Sequence, residues 1–156
     1  MRKSVVEAPA AEHSSRIDEC WLDLERIARV EVTSEDPAYP IESAFLNSGI
    51  WRAAKEGQQV IRLVFDKPQA LRRIWLRFSE TEVARTQEFA LRALATDARP
   101  PHEIVRQQWT FSPNGSTEEI EDYPVELKNV SALELTIQPE ITAGKAIATL
   151  AGWRVA

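Results

Sequence analysis

Cysteine occurs once in the 156 residues, at Cys20, and glycine only five times. One cysteine excludes an intramolecular disulfide and a cysteine-based zinc site, and it is compatible with a reducing compartment. Five scattered glycines build no phosphate-cradling loop, and no Gly-x-Ser-x-Gly element marks a serine hydrolase. The two histidines, His13 and His102, share neither a loop nor a nearby carboxylate, which argues against a catalytic dyad. No apolar run is long enough for a membrane span. The opening MRKSVVEAPAAEHSSR is basic but lacks the apolar stretch of a signal peptide, so the expectation is a cytoplasmic chain without membrane insertion. An excess of positive charge is also missing. The net charge is -5 with acids and bases interspersed, which leaves no footprint for nucleic acid or an anionic membrane.

What remains is the composition of an ordinary folded domain, 44% hydrophobic and 28% charged. The length fits one domain. Residues 1–14 read as a loose polar tail. Ser15 with Asp18 caps a short helix carrying Ile17, Trp21 and Leu24, although CWLDL reads equally as a strand, and 1–26 is taken as an N-terminal extension. From there the dominant period is two. QVIRLVF sets Ile61, Leu63 and Phe65 on one face, and RRIWLRF sets Ile74, Leu76 and Phe78. EFALRAL does so with Phe89, Leu91 and Ala93, IVRQQWTF with Val105, Trp109 and Phe111, and ALELTI with Leu133, Leu135 and Ile137. Turn chemistry at 66–68, 99–101, 113–115 and 139–144 separates these runs. The pattern predicts an all-β antiparallel sandwich over 27–156.

Short connections join antiparallel neighbours. With 59–66 running up, 71–78 runs down, 87–95 up, 103–111 down, 118–127 up, 131–138 down and 146–155 up. The loops 79–86, 112–117 and 139–145 then gather at the lower end. Segment 32–51 joins them if strand 28–34 pairs with the last strand.

A strand ending in Thr33-Ser34, an alanine-containing approach to Trp51, QQVIRLVFDKPQALRRIWLRF, EFALRALA and the closing AGWRV together resemble the galactose-binding-like sandwich of discoidin (coagulation factor 5/8 type C) domains. The resemblance covers roughly 27–156. It implies a jelly-roll-like sandwich binding glycans, lipids or proteins through loops at one end, usually without catalysis, and a Trp51 that belongs to the core. The family often carries Ala-x-Asp-Gly before this tryptophan, which helps hold a structural calcium. Here the stretch reads Ala44-Phe45-Leu46-Asn47-Ser48-Gly49-Ile50-Trp51, without the acidic ligand, leaving Asn47 and backbone carbonyls as candidate donors.

On the expected rim, Asp36, Tyr39 and Glu42 are candidate ligand residues, the ring stacking on a sugar face while carboxylates accept hydroxyls. The plainer alternative is that Pro37 and Pro40 stiffen a connection with Tyr39 packed beneath it. Glu80, Glu82 and Arg85 come from the second loop and Asn114 from the third. Carboxylates two apart invite a glycosidase reading, but such spacing in a polar loop is usually just solvated. Arg62, Arg73, Arg77, Arg92 and Arg106 alternate with core positions and turn outward together with Trp75. That face is either a protein-docking or self-association surface built on Trp75, Arg73 and Arg77, or an exposed sheet whose arginines pair with Glu88, Glu103 or Glu126. The leading functional expectation is a non-catalytic binding module for a glycan, with an assembly domain as the rival.

Overall fold

The computed structural model describes residues 21–96, 99–142 and 145–156. The helix expected to start at Ser15 lies mainly outside them, and within them a single turn, α1 (Leu24–Ile27), precedes the first strand. The order continues β1 (Ala28–Val32), α2 (Glu42–Leu46), β2 (Trp51–Glu56), β3 (Gln59–Ser79), β4 (Arg85–Ala95), β5 (His102–Phe111), β6 (Glu118–Gln138), β7 (Ile147–Leu150) and β8 (Gly152–Val155). All pairings are antiparallel.

The expected hairpin at 66–68 is a bend within one strand. Ile61, Leu63, Phe65 and Leu71 are buried at odd positions, whereas Ile74, Leu76 and Phe78 are buried at even ones. Each extra unpaired residue in a ladder reverses which face the following side chains take, and the register of β3 against β6 shifts between Val64 and Gln69 and twice more before Arg73. Pro68, which cannot donate to a ladder, sits in the irregular part. On β6 the bend carries Asn129 in the left-handed region, φ 57°. The first half of β3 therefore lies in sheet 1, ordered β1–β3–β6–β4–β5, and its second half lies in sheet 2 between β6 and β8. A small β2–β7 ladder extends the lower end.

One sheet thus folds over on itself. Phe78 of sheet 2 stacks on Phe89 of sheet 1 at 5.0 Å across the core, with Trp51, Trp153, Phe111, Leu133 and Leu135 fully buried around them. The direction of travel is as expected, because a strand that bends over reverses like a hairpin.

β1 does not pair with the last strand. It pairs with the first half of β3, Val32 opposite Ile61, while β8 pairs with the second half, Trp153 opposite Leu76. These are different sheets, and α2 closes the open side beside β8, with Phe45 stacked on Trp153 at 5.5 Å. The expected single strand 146–155 divides at Ala151 into β7 and β8.

The outward arginines pair across strands. On sheet 1 the register sets Glu31, Arg62, Glu134, Arg92 and Glu103 side by side across all five strands. Arg62 reaches Glu134 at 2.5 Å and Glu31 at 3.5 Å, and Arg92 also bonds Glu134. Arg106 contacts Glu88 and Glu103. On sheet 2, Arg73 makes a two-point bond to Asp122 at 2.9 and 2.6 Å and Arg77 meets Glu118 at 2.5 Å. These partners differ in part from the expected acids. Trp75 is half-buried rather than fully outward. The Arg154 guanidinium lies 5.5 Å from its ring centre, and its edge packs over Gly152, where a Cβ would come within 2.7 Å of the ring.

Candidate functional site

Four connections lie at the lower end; the first is tied to β2 and β3, and hydrogen bonds tie the other three to one another. The first leaves β1 through Thr33 and Ser34, whose hydroxyls both donate to the buried Gln59 Oε1 at 2.7 Å. Ser34 O accepts from the Trp51 indole at 3.2 Å, which explains how a fully buried tryptophan satisfies its N–H. Trp51 is core, as the resemblance implies.

Beyond Glu35 the chain makes a turn clipped to β2. Asp36 N–H donates to Arg52 O at 2.9 Å, Tyr39 N–H to Asp36 O at 2.8 Å, and Arg52 N–H to Tyr39 O at 3.2 Å. The Asp36 carboxylate accepts Ala38 N–H at 3.0 Å, a local turn that occupies one of its oxygens. Tyr39 remains 41% exposed. Glu42 starts α2, where it lines a groove with Leu24, Phe45 and Leu46.

The second loop is organised by Glu80. One carboxylate oxygen accepts Glu82 and Val83 N–H at 3.1 and 3.3 Å, and the other accepts Arg85 Nε at 2.7 Å. Burial works to raise the Glu80 pKa, yet the Arg85 bond and the backbone donors hold it below the ordinary value. Arg85 was expected on the exposed rim. It is 3% exposed, because it begins β4 with its side chain turned inward. Its guanidinium also donates to Gln87 at 3.2 Å, Pro139 O at 3.0 Å and Thr149 at 3.2 Å, and lies 4.9 Å from the Phe111 ring centre. Glu80 and Arg85 thus hold the rim up from below. Glu82 and Asn114 are exposed. A glycosidase needs two carboxyls poised on either side of the scissile bond, and Glu80 is committed to Arg85.

The remaining loops close the ring. Glu80 N–H donates to Thr117 O at 2.9 Å, Ile141 N–H to Thr86 O at 3.0 Å, and Glu140 accepts Thr86 N–H at 3.1 Å. Val83 and Ile141 are exposed on these connections.

Three contributors escaped the sequence reading. Arg52 stands opposite Thr149 in the β2–β7 ladder, half-exposed, with no side-chain partner among the described residues. Gln87 and Glu119 are fully buried under the rim, Gln87 Nε2 donating to Glu119 Oε1 at 3.2 Å. The alternation in EEIEDY could have signalled Glu119, since it places Glu119, Glu121 and Tyr123 on one face. Asn47 ends α2 in the left-handed region at φ 56°, and no group of three or more acidic, histidine or cysteine side chains gathers as a metal site among the described residues.

No family model matches the chain, and no curated protein matches it significantly. Solved structures do. A CBM32 module from a family 31 glycoside hydrolase of Clostridium perfringens superposes with a TM-score of 0.63 at 18% identity, over 88% of this chain and 95% of that one. The family 32 carbohydrate-binding module of C. perfringens NanJ, in complex with galactose, gives 0.57 at 14% identity, over 86% and 96%. A Ruminococcus gnavus GH29 fucosidase in complex with fucose gives 0.61 at 12% identity, over 83% of this chain and 25% of that one. At such identities the likeness establishes the fold: this chain is a β-sandwich of the type found in CBM32 modules.

Proposed function

We propose that this chain is a non-catalytic glycan-binding module whose sugar sits on the lower rim against Tyr39. The observation that carries this reading is the Asp36–Tyr39 turn clipped to β2. It joins the backbone of Tyr39, a residue 41% exposed, to that of Arg52, whose guanidinium has no protein partner among the described residues. A ring stacks on the apolar face of a pyranose, and an arginine donates to its hydroxyls or to an acidic group. Asp36 on the same turn, and the exposed Glu82 and Asn114 on the other lower-end loops, are further candidate polar groups, while Glu80 and Arg85 maintain the loops. A carbohydrate-binding module of the same fold in complex with galactose supports the choice of ligand class, and the origin of another such module in a glycoside hydrolase supports a delivery role beside catalysis.

The test is a glycan array on the purified chain, followed by calorimetry with galactose-terminated and uronate-terminated hits. Tyr39→Ala and Arg52→Ala should each weaken binding at least about tenfold, equivalent to about 1.4 kcal/mol, with little change in Tm. An empty array, or hits indifferent to both substitutions, overturns the reading.

A second reading uses the outer face of sheet 2. Ile120 is 53% exposed there and stands opposite Arg77, next to Trp75. Aromatic and arginine anchors often dominate protein interfaces. In that case Ile120→Glu and Trp75→Ala abolish self-association or capture of a protein partner in light scattering while the glycan array stays empty.

A further inference from the structure

Glu119 projects from β6 into the interior with no exposure to solvent. Its Oε1 accepts from Gln87, and its Oε2 meets no protein donor. A buried carboxylate oxygen without a donor or a water shell is costly. The groups around it are few. Phe78 is its register partner on β3 and carries no charge. From β4 come Gln87 and Arg85, and Arg85 directs its donors to Glu80, Gln87, Pro139 O and Thr149 instead of to Glu119. Along β6 itself stand Glu121, within hydrogen-bond reach of Glu119, and then Tyr123, whose buried hydroxyl has no partner of good geometry. Two carboxyls in contact, one of them sealed from water, do not both ionise cheaply.

We propose that Glu119 and Glu121 form an acid–carboxylate pair that keeps one proton at neutral pH, carried on Glu119 Oε2 and donated to Glu121. This proton satisfies the orphaned oxygen. It also completes a chain of bonds from the sheet 2 edge through Glu119 and Gln87 to Arg85, the hub on which the loops at 79–84 and 139–142 are anchored. Burial first, then the hydrogen bond and charge of Glu121, push the Glu119 carboxyl up to about 9 against the opposing pull of Gln87 and Arg85.

The sign follows from linkage. A carboxyl whose folded value lies above its unfolded one is protonated in the fold and ionised in the unfolded chain between those two values, so stability falls as pH rises across the interval. It is fully retained below about 4.5 and levels off only above about 9. The slope is at most about tenfold in the folding equilibrium per pH unit.

Glu119→Gln tests this, since an amide donates to Glu121 as the protonated acid does and accepts from Gln87. Urea unfolding of wild type and variant between pH 5 and 9 should show the wild type losing stability with rising pH. The variant should lack that component and exceed the wild type by at least about tenfold in folding equilibrium at pH 8. A variant that parallels the wild-type slope, or is weaker at every pH, overturns the proposal. Carbon-13 NMR of labelled glutamate in the wild type at pH 7 decides independently of the variant's folding: one carboxyl in its protonated form is expected, and a fully ionised set overturns it. Neither readout depends on whether the rim binds a sugar.

Discussion

Arg85 shows what a single position hides. Read along the chain it is a polar residue at the end of a polar loop, and nothing in SETEVART distinguishes an arginine facing water from one facing inward. Only the start of β4, at Arg85 itself, decides which way it turns. Its removal should therefore act on stability. Arg85→Ala strands the buried ends of Glu80, Gln87, Thr149 and Pro139 O, and we expect a loss of about 3 to 5 kcal/mol in urea unfolding, the range for breaking a buried ion pair. A loss below about 1 kcal/mol would mean that water replaces the guanidinium freely. Gly152 makes a complementary case. Gly152→Ala places a methyl against the six-membered ring of Trp75, and should cost about 1 to 3 kcal/mol by overpacking. The double variant with Trp75→Leu should recover most of that cost, a coupling that unfolding of the two singles and the double would measure. Trp51 was legible as core through the family resemblance and the burial usual for tryptophan, whereas the two prolines around Tyr39 suggest a ring packed beneath the connection, and that residue is 41% exposed.

At the scale of elements, alternation identified the buried faces of β3, β4 and the second half of β6. It could not tell a hairpin from a bend. The buried set changes from odd to even between Leu71 and Ile74, and a tight turn or a strand with unpaired residues produces the same change. Asp66-Lys67-Pro68 tips the reading toward a turn, since its residues suit both. The distinction is measurable. Amide hydrogen exchange should find two protected blocks on β3, centred on 60–64 and 74–78, separated by a faster-exchanging stretch at 66–70, with a matching gap near 128–129 on β6. Uniform protection through 59–79 would contradict the bend. β2 and α2 went unread for a different reason. β2 is a strand of six residues against a partner of four, and α2 is a single turn, so neither is long enough to establish a period.

For the whole molecule, the arrangement of loops at one end was legible because a strand that folds over and a hairpin reverse direction alike. The network beneath that end was not legible, since its members come from β3, β4, β6 and β7, far apart in sequence. The molecule's response to acid follows from its paired carboxylates. Glu134 is driven upward by burial but held below the ordinary range by hydrogen bonds from Arg92 and Arg62, and Asp122 is lowered chiefly by its bond to Arg73. Groups lowered in the fold stabilise it above their unfolded values, and that contribution is lost as pH falls through the folded ones. Tm should therefore drop below about pH 4, and Glu134→Gln should flatten that acid limb in calorimetric scans. The row to which Glu134 belongs has one more property. It runs Glu31, Arg62, Glu134, Arg92, Glu103 and ends in an acid on both margins of sheet 1. Were two copies to meet margin to margin with these rows in line, glutamate would face glutamate at the seam, and the neighbouring Arg29 and Arg106 would lose part of their hydration. An open five-stranded layer is otherwise a template for strand addition and fibre growth. By carrying its charge pattern out to β1 and β5, this sheet discourages its own extension at both ends.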